Sequence, residues 1–502
     1  MRALIYKWHR RLSIIIAIPV FCWAASGFMH PLMTNIKPRI ASQRISPVPV
    51  DSHLIHVPLQ TALRTHHIDS IAGFRLIHID TNWFYQVQPA WKPGAKTPAT
   101  PIYLSCTNGN VLAAGDWLYA QYLARQFLEG PSTDGPSHHS MPPMNPAAPS
   151  PAETMHDCCG AATDFVLNTT KGSKVANVSG LTAFDAEYKS INRLLPVYRV
   201  SFERSDNIRI YVETTQDRFA FAMDNRRAAF DEIFRCLHTY GWLEWLGKGR
   251  LAVELLLAAT ALITTIMGIY IFFVTKTRKP NGNPLLKARR NHRWVSIVAA
   301  LFTAMWTFSG AYHAFAKFTD DTRDQYFIKD NFATSTFTNA PLNSQGIIKI
   351  DTNFYYRIAT AKGNSYLDAR DQTILPNGDR TYATALATKF SGLPVTDTVA
   401  TTLITTFADE YNFTDKRLPV WKIAYRAHHN ERLYIETSTG RLASKVDDQS
   451  VKEGWSFSIF HKHHFMDWGG KSTRDASTMF WAFAQLVMVA IGLILFIKKA
   501  RR

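Results

Sequence analysis

Histidine stands at matching positions in two apolar segments of the chain. The segment WHRRLSIIIAIPVFCWAASGFMH contains His9 and His30, and the segment NHRWVSIVAALFTAMWTFSGAYH contains His292 and His313. The two histidines of each segment are 21 residues apart, which is about 31 Å at the rise of an α-helix. A bilayer core is about 30 Å thick, so each segment is predicted to place one histidine near either face of a membrane.

This spacing suits the ligation of two haem groups. Twenty-one residues make six turns at about 3.5 residues per turn, so both histidines of a helix lie close to one face. If the two segments pack about a pseudo-twofold axis, His9 lies opposite His292 and His30 lies opposite His313. Two facing imidazoles can ligate one haem iron, and ionisable residues at membrane depth are usually functional. The pattern therefore predicts His9 and His292 as ligands of an inner haem, and His30 and His313 as ligands of an outer haem.

Two further histidines compete for the outer haem. His238 and His461 repeat with an offset of 223 residues, each ten residues before Lys248 or Lys471 at the start of a later apolar segment. On a straight helix they would lie about 15 Å above the membrane interface, so they rank second as ligands. A structural alternative stays open for all six histidines, because a histidine at a helix end is usually interfacial and a duplication also copies inert residues.

Other polar or small residues of the apolar segments have two interpretations each. Trp23 matches Trp306 and Gly27 matches Gly310, and each glycine follows a serine. These residues could line a macrocycle or simply permit close helix packing. Glu254 lies inside the apolar segment 251–274, where its carboxyl group could transfer protons or extend towards the membrane surface.

One segment rich in proline, serine and alanine, 135–160, is predicted to be a disordered loop. Its imidazole, thioether and thiol groups are soft ligands that suit copper(I) or zinc. The spacing matches no regular zinc motif, so the sequence supports this metal site only weakly. The candidate ligands are His138, His139, Met141, Met144, Met155, His156, Cys158 and Cys159.

Four segments are apolar enough to cross a bilayer, namely 12–28, 251–274, 294–315 and 479–497. Lysine and arginine are concentrated before the first, between the second and third, and after the fourth. The positive-inside rule then places both termini in the cytoplasm. Much of the net charge of +17 is therefore a topology signal, and no basic domain rich in aromatic residues supports nucleic-acid binding.

The long polar segments between these spans repeat one another. IDTNWFYQV matches IDTNFYYRI, LLPVYRVSF matches RLPVWKIAY, and IYVETTQDR matches LYIETSTGR. Each segment alternates short strand patterns with amphipathic helix patterns. The unit of span, polar domain and span thus occurs twice, and such parallel repeats usually pack around an axis along the membrane normal.

These stretches resemble the PepSY-associated transmembrane proteins, which include bacterial iron-regulated membrane proteins and inner-membrane ferric-siderophore reductases. The resemblance covers nearly the whole chain. It is carried by WHRRLS and NHRWVS, by LPVYRV with YVET and LPVWKI with YIET, and by LH and FH ahead of the second and fourth spans. It implies an α+β membrane protein with a four-helix transmembrane core and two periplasmic PepSY-like α+β domains, internally duplicated. It also implies two b-type haems in that core.

The resulting division of the chain has seven parts. We expect transmembrane helices at 1–30, 238–275, 292–315 and 461–502, the last with a cytoplasmic tail, periplasmic PepSY-like regions at 31–237 and 316–460, and a basic cytoplasmic loop at 276–291.

The resemblance further implies a di-haem reductase of the inner membrane. It would pass electrons from the cytoplasm to a periplasmic ferric siderophore or another metal complex and release Fe(II). Some relatives continue into a cytoplasmic flavin reductase domain, whereas this sequence ends at IKKARR. The electron donor is therefore expected to be a separate molecule, such as a flavoprotein.

Two other functions stay open at this point. A non-enzymatic PepSY module could bind or regulate a periplasmic partner such as a peptidase, and a haem protein could serve cupric ion or quinone instead of a siderophore. A hydrolase is not supported, because the sequence has no nucleophile elbow, HExxH motif or phosphate-binding loop.

Overall fold

Four long apolar helices form one part of the molecule, and the sheets form the rest. The computed structural model describes residues 1–46, 48–130, 173–276, 279–319, 327–337, 340–360 and 363–500. Within these residues, four helices are long and apolar enough to cross a membrane. The prediction of four spanning helices in a mixed helix and sheet protein is confirmed.

The helices are α1 (Arg2–Asn35), α2 (Leu59–Thr65), α3 (Gly115–Glu129), α4 (Asn225–Leu237), α5 (Lys248–Val274), α6 (Pro284–Thr319), α7 (Gly378–Ser391), α8 (Ala427–Asn430), α9 (Asp448–Ser456) and α10 (Gly470–Ala500). The strands are β1 (Ser70–Ile79), β2 (Asn82–Pro89), β3 (Ile102–Ser105), β4 (Val175–Leu181), β5 (Val197–Phe202), β6 (Arg209–Glu213), β7 (Arg218–Met223), β8 (Phe332–Ala333), β9 (Ser344–Ile350), β10 (Asn353–Thr360), β11 (Gly363–Asp368), β12 (Thr398–Ile404), β13 (Val420–Tyr425), β14 (Arg432–Glu436) and β15 (Arg441–Val446).

The four apolar helices α1, α5, α6 and α10 form a bundle. Helix α1 packs against α5 and α10, and α6 packs against the same two helices, so α1 and α6 lie diagonally opposite each other. Small and aliphatic side chains fill part of the bundle interior, including Ala17, Ala261 and Val489. Such side chains let helices approach closely where lipid removes the hydrophobic driving force.

Helices α5 and α10 begin about ten residues later than the predicted spans 238–275 and 461–502. Between α4 and α5 lies a 3₁₀ turn at Gly241–Leu246, and between α9 and α10 lie a π-helical turn at Phe457–His461 and a 3₁₀ turn at His464–Gly469. The residues that break the helix have positive φ angles, which a right-handed α-helix excludes. They are Tyr240 (43°), Gly247 (54°), His463 (57°) and Gly470 (76°).

The other two spanning helices are longer than predicted. Helix α1 continues to Asn35 instead of ending at residue 30. Helix α6 runs over 284–319 instead of 292–315, so residues 284–291 of the predicted cytoplasmic loop are helical.

Exposed tryptophans stand at both ends of the bundle. Trp242, Trp245 and Trp468 lie on the 3₁₀ turns before α5 and α10, and the last is 82% exposed. Trp8 and Trp294 are exposed near the starts of the predicted membrane segments of α1 and α6. Tryptophan is enriched at membrane–water interfaces, so the two rows mark the expected faces of the bilayer.

The sheets occur in two regions with the same order of elements. The first α/β region has the strand orders β3-β2-β1 and β4-β5-β6-β7 with α3 between them in the chain, and the second has β11-β10-β9 and β12-β13-β14-β15 with α7. The register also agrees, because Tyr198 lies opposite Val212 and their counterparts Trp421 and Ile435 lie opposite each other. This is the arrangement that an internal duplication predicts.

The two α/β regions share a core. Strand β8 pairs with β1, with Phe332 opposite Ile71. Ile347 and Tyr356 of the second region are buried in the same hydrophobic cluster as Ile71 and Tyr85 of the first. The two regions are therefore packed as one body.

Buried ion pairs join the regions at a second boundary. Glu436 is fully buried and accepts hydrogen bonds from Arg218 and from Arg417, the latter at 2.6 Å between Nη1 and Oε2. Burial opposes the ionisation of this carboxyl group, but the two guanidinium groups hold the pKa of Glu436 well below its usual range. Arg193 pairs with Asp415 across the same boundary.

Replacing Glu436 with glutamine is expected to destabilise the sheet regions by about 3–5 kcal/mol, because the buried Arg218 and Arg417 would lose the carboxylate that both of them bond. Thermal unfolding of the full-length protein measures the change. Glu213 is the matched control, since it is equally buried but bonds to Thr215. Glu213→Gln should cost clearly less, and equal losses would show that the ion pairs do not hold the boundary.

Candidate functional site

The first pair of predicted ligands lies in narrow gaps between helices, here called slots, where a glycine faces each imidazole. His9 lies on α1 and His292 lies on α6, the two helices that are diagonally opposite in the bundle. The Nδ1 of His9 donates a hydrogen bond of 3.1 Å to the carbonyl oxygen of Thr264 on α5. A Cβ atom on Gly268 would lie 3.2 Å from Cε1 of His9, and one on Gly492 would lie 3.3 Å from Cε1 of His292. Each imidazole thus rests against a glycine of the neighbouring helix.

At the opposite end of the bundle, six aromatic rings form a continuous row with pseudo-twofold symmetry. From one end to the other the rings are His30, Phe234, His238, His461, Phe457 and His313, with successive centroid distances of 5.5, 4.5, 5.9, 4.6 and 4.4 Å.

This row changes the outer pair predicted from the sequence. His238 and His461 face each other at its centre, with ring planes at 86°. His30 and His313 lie at its two ends, each behind a phenylalanine, and His313 is hydrogen-bonded through Nδ1 to Glu453. The expectation that His238 and His461 stand about 15 Å above the interface is wrong, because the chain turns back at the 3₁₀ segments instead of continuing as one helix.

The hydrogen bonds around the central pair select one tautomer. Ser26 Oγ donates its proton to the carbonyl oxygen of Trp23 (3.0 Å), so it can only accept from Nδ1 of His238 (2.9 Å). The same bonds recur in the second half, where Ser309 Oγ donates to the Trp306 carbonyl and lies 3.2 Å from Nδ1 of His461. A proton held on Nδ1 leaves the lone pair of Nε2 available to a metal.

The indole groups complete this arrangement. Trp23 Nε1 donates to the backbone carbonyl of His238 at 3.0 Å, and Trp306 Nε1 donates to that of His461 at 3.1 Å. Because each indole holds the backbone of one histidine, the tryptophans position the central pair. Apolar packing alone would not require these two indole hydrogen bonds.

Comparison with known protein families identifies the region that contains part of this site. A family model described as the PepSY-associated TM region matches residues 136–347, which include β4–β7 and the spanning helices α5 and α6. The chain carries a PepSY-associated transmembrane region. The family predicted from the WHRRLS and NHRWVS openings is thereby confirmed. A search of curated proteins finds no match to the chain.

The histidines of this PepSY-associated protein fit the bis-imidazole ligation of haem. The ring centroids of His238 and His461 lie 5.9 Å apart, and both imidazoles could offer Nε2 to the same iron. At the other end, His292 packs on Gly492 as His9 packs on Gly268, and Nδ1 of His292 is buried. The carbonyl oxygen of Thr264, which accepts the hydrogen bond from His9, lies one helical turn before Gly268.

The sequence alone did not predict four residues of the site, namely the serines Ser26 and Ser309 and the glycines Gly268 and Gly492. Ser26 and Ser309 were visible only as the residues before two repeated glycines. Gly27 itself makes an ordinary packing contact, since its added Cβ would lie 3.9 Å from Ala482. A search for polar residues repeated at the histidine offsets could have found Ser26 and Ser309.

The predicted soft-metal loop lies outside the described residues. This holds for all eight of its candidate ligands, between His138 and Cys159. Within the part of the chain that the structure describes, no group of three or more histidine, cysteine or acidic side chains is arranged to hold a metal ion.

Proposed function

We propose that this protein is a di-haem electron carrier of the bacterial inner membrane that reduces a metal complex on the periplasmic side. The observation that supports it most directly is the repeated set of bonds that leaves Nε2 of His238 and His461 free at the centre of the outer row. Haem iron held by two imidazoles supplies one-electron redox chemistry. The slot pair His9 and His292 and the central pair His238 and His461 would each hold one haem.

The direction of transfer rests on the proposed topology. The basic clusters near both chain ends and between α5 and α6 favour a cytoplasmic location for that end of the bundle. The two α/β regions would then be duplicated periplasmic PepSY-like domains. The basic cytoplasmic face would attract an acidic electron donor, such as a flavoprotein.

A ferric siderophore is the acceptor that the chemistry favours. Hard oxygen ligands hold Fe(III) more strongly than Fe(II), so the addition of one electron weakens the complex and releases the metal. The resemblance of the chain to ferric-siderophore reductases supports the same substrate class. Cupric ion is a rival acceptor because of the soft ligands at 135–160.

The test uses purified full-length protein. We expect an absorption spectrum of two b-type haems per chain, and we expect the dithionite-reduced protein to be reoxidised by a ferric siderophore while a ferrous chelator traps Fe(II). The gallium complex of the same siderophore is the control, because Ga(III) fits the same ligands but does not accept the electron. Protein without haem would favour the non-enzymatic PepSY module, and haem that is inert to ferric and cupric complexes would rule out a metal reductase.

A further inference from the structure

An apolar groove lies beside the outer histidine row, between the end of α6 and α9. It has a volume of about 540 Å³. Its walls include the rings of Phe308, Tyr312, Trp455 and Phe460, with centroids 6.2 Å apart for Phe308 and Phe460 and 5.6 Å apart for Trp455 and Phe460. Phe308 and Tyr312 belong to the last turns of the predicted span 294–315, and Trp455 is 59% exposed, so the groove is open at the expected end of the bilayer core.

The groove contains polar groups that suit a ligand with carbonyl oxygens. Ser456 lines it and is 5% exposed, and its Oγ is buried without a hydrogen-bond partner in the described residues. A buried hydroxyl group without a partner is costly, so a bound acceptor would stabilise it. Lys452 also lines the groove and supplies a second donor.

The side chains that line the groove are not repeated in the first half of the molecule. At the offset of 223 residues, the counterparts of Lys452, Trp455, Ser456 and Phe460 are Ala229, Glu232, Ile233 and Leu237. Helices α4 and α9 correspond in the two halves, whereas these four groove side chains occur in the second half alone.

The same asymmetry applies to the neighbouring histidines. His313, next to the groove residue Tyr312, is hydrogen-bonded to Glu453, next to Lys452. In the first half, Phe230 occupies the position of Glu453, and the ring of His30 packs on Phe234. Of these two equivalent positions, the one in the second half therefore carries a histidine–carboxylate pair that can accept a proton.

We propose that this groove binds the ring of a membrane quinol and that the quinol is an electron donor to the outer histidine pair. A flat ring fits between aromatic walls, its two oxygen atoms match the Ser456 hydroxyl and the Lys452 ammonium group, and an isoprenoid tail would extend into the lipid. Phe460 lines the groove and directly precedes His461 in the chain. This inference rests on the proposed haem carrier and adds a donor drawn from the bilayer.

The step balances with the two haems as oxidants. Quinol loses two electrons and two protons and becomes quinone. The electrons would leave one at a time to two one-electron oxidants, a role that the haems proposed at His238–His461 and at His9–His292 would supply when bound. The protons pass to the His313–Glu453 pair and then to the aqueous side.

Photo-crosslinking tests the site without relying on activity. Full-length protein in nanodiscs is illuminated with a short-chain azidoquinone, and labelled peptides are mapped by mass spectrometry. We expect labelling at 451–460 that an excess of decylubiquinone abolishes. Ser456→Leu, which fills the groove and removes the hydroxyl, should lower the labelling by about ten-fold. Ser456→Thr should retain it.

Trp455→Ala is compared with Trp468→Ala, which removes an exposed tryptophan that does not line the groove. We expect only the first to lower labelling, and the retained haem spectrum reports that each variant is folded. Equal labelling of 228–237 and 451–460, or labelling that decylubiquinone does not compete, would overturn the site and indicate annular lipid contact. Since crosslinking needs no ferric acceptor, its outcome is independent of whether the protein reduces siderophores.

Discussion

Replacing His238 or His461 with alanine is expected to remove one haem, the same one in both variants, and to leave the other in place. The two rings face each other with centroids 5.9 Å apart, and a haem that both imidazoles would hold would lose much of its binding energy with either one. The haem-to-protein ratio, measured as the pyridine haemochrome, should fall from two to one. His9→Ala and His292→Ala should each remove the other haem.

His30→Ala and His313→Ala are the matched controls, because these histidines end the same row of rings. Both variants should keep two haems. Loss of the outer haem from His30→Ala but not from His238→Ala would restore the pairing expected from sequence spacing. Different haems lost from His9→Ala and His292→Ala would show that ligands pair within one half of the molecule.

Ser26→Ala and Ser309→Ala separate positioning from ligation. Each removes the acceptor that holds a proton on Nδ1 of His238 or His461. Such partners of a metal-bound histidine typically contribute about 10–100-fold to affinity, so we expect weaker outer-haem retention with the inner haem unchanged.

Electron transfer across a bilayer is expected to stop when either haem is lost. His9 and His30 lie at opposite ends of α1, 21 residues or about 31 Å apart, so removal of one centre leaves a gap of nearly the membrane thickness. Proteoliposomes that enclose a reductant should reduce an external ferric siderophore, and an external ferrous chelator reports the product. With His9→Ala or His461→Ala, the rate should fall to that of protein-free liposomes.

His53→Ala provides the control for this experiment, because His53 is an exposed histidine outside the bundle. It should retain the full rate. Protein inserted in the opposite orientation should be inactive towards an acceptor on its cytoplasmic face, which tests the sidedness. A rate that survives His9→Ala would show that transfer across the bilayer does not need the centre that His9 would hold.

Much of the architecture follows from the sequence. The lengths of the apolar segments predict the four spanning helices, and α1 and α6 carry His9 and His292 at matching positions because the repeat offset is constant. The repeated strand motifs predict the two α/β regions and their common strand order. These features depend on local composition and periodicity, which are properties of the chain itself.

The pairing of His238 with His461 required the tertiary structure. Sequence spacing assumes a continuous helix from these residues into α5 and α10, but left-handed residues such as Tyr240 and His463 interrupt it. Whether a non-glycine residue adopts that conformation depends on its packing, and here both rings pack against the tryptophans of α1 and α6. The chain reversal brings each histidine to a serine more than 150 residues away.

The sequence by itself determined the membrane spans, the repeat and the histidines at the ends of α1. The tertiary structure alone decided which imidazoles face each other, which hydroxyl groups select their tautomer, and where the groove opens beside α6. The physical reason is that spans and repeats arise from local hydrophobicity and periodicity. Ring pairing, hydrogen-bond direction and the space between helices arise from contacts between distant segments, which no local pattern encodes.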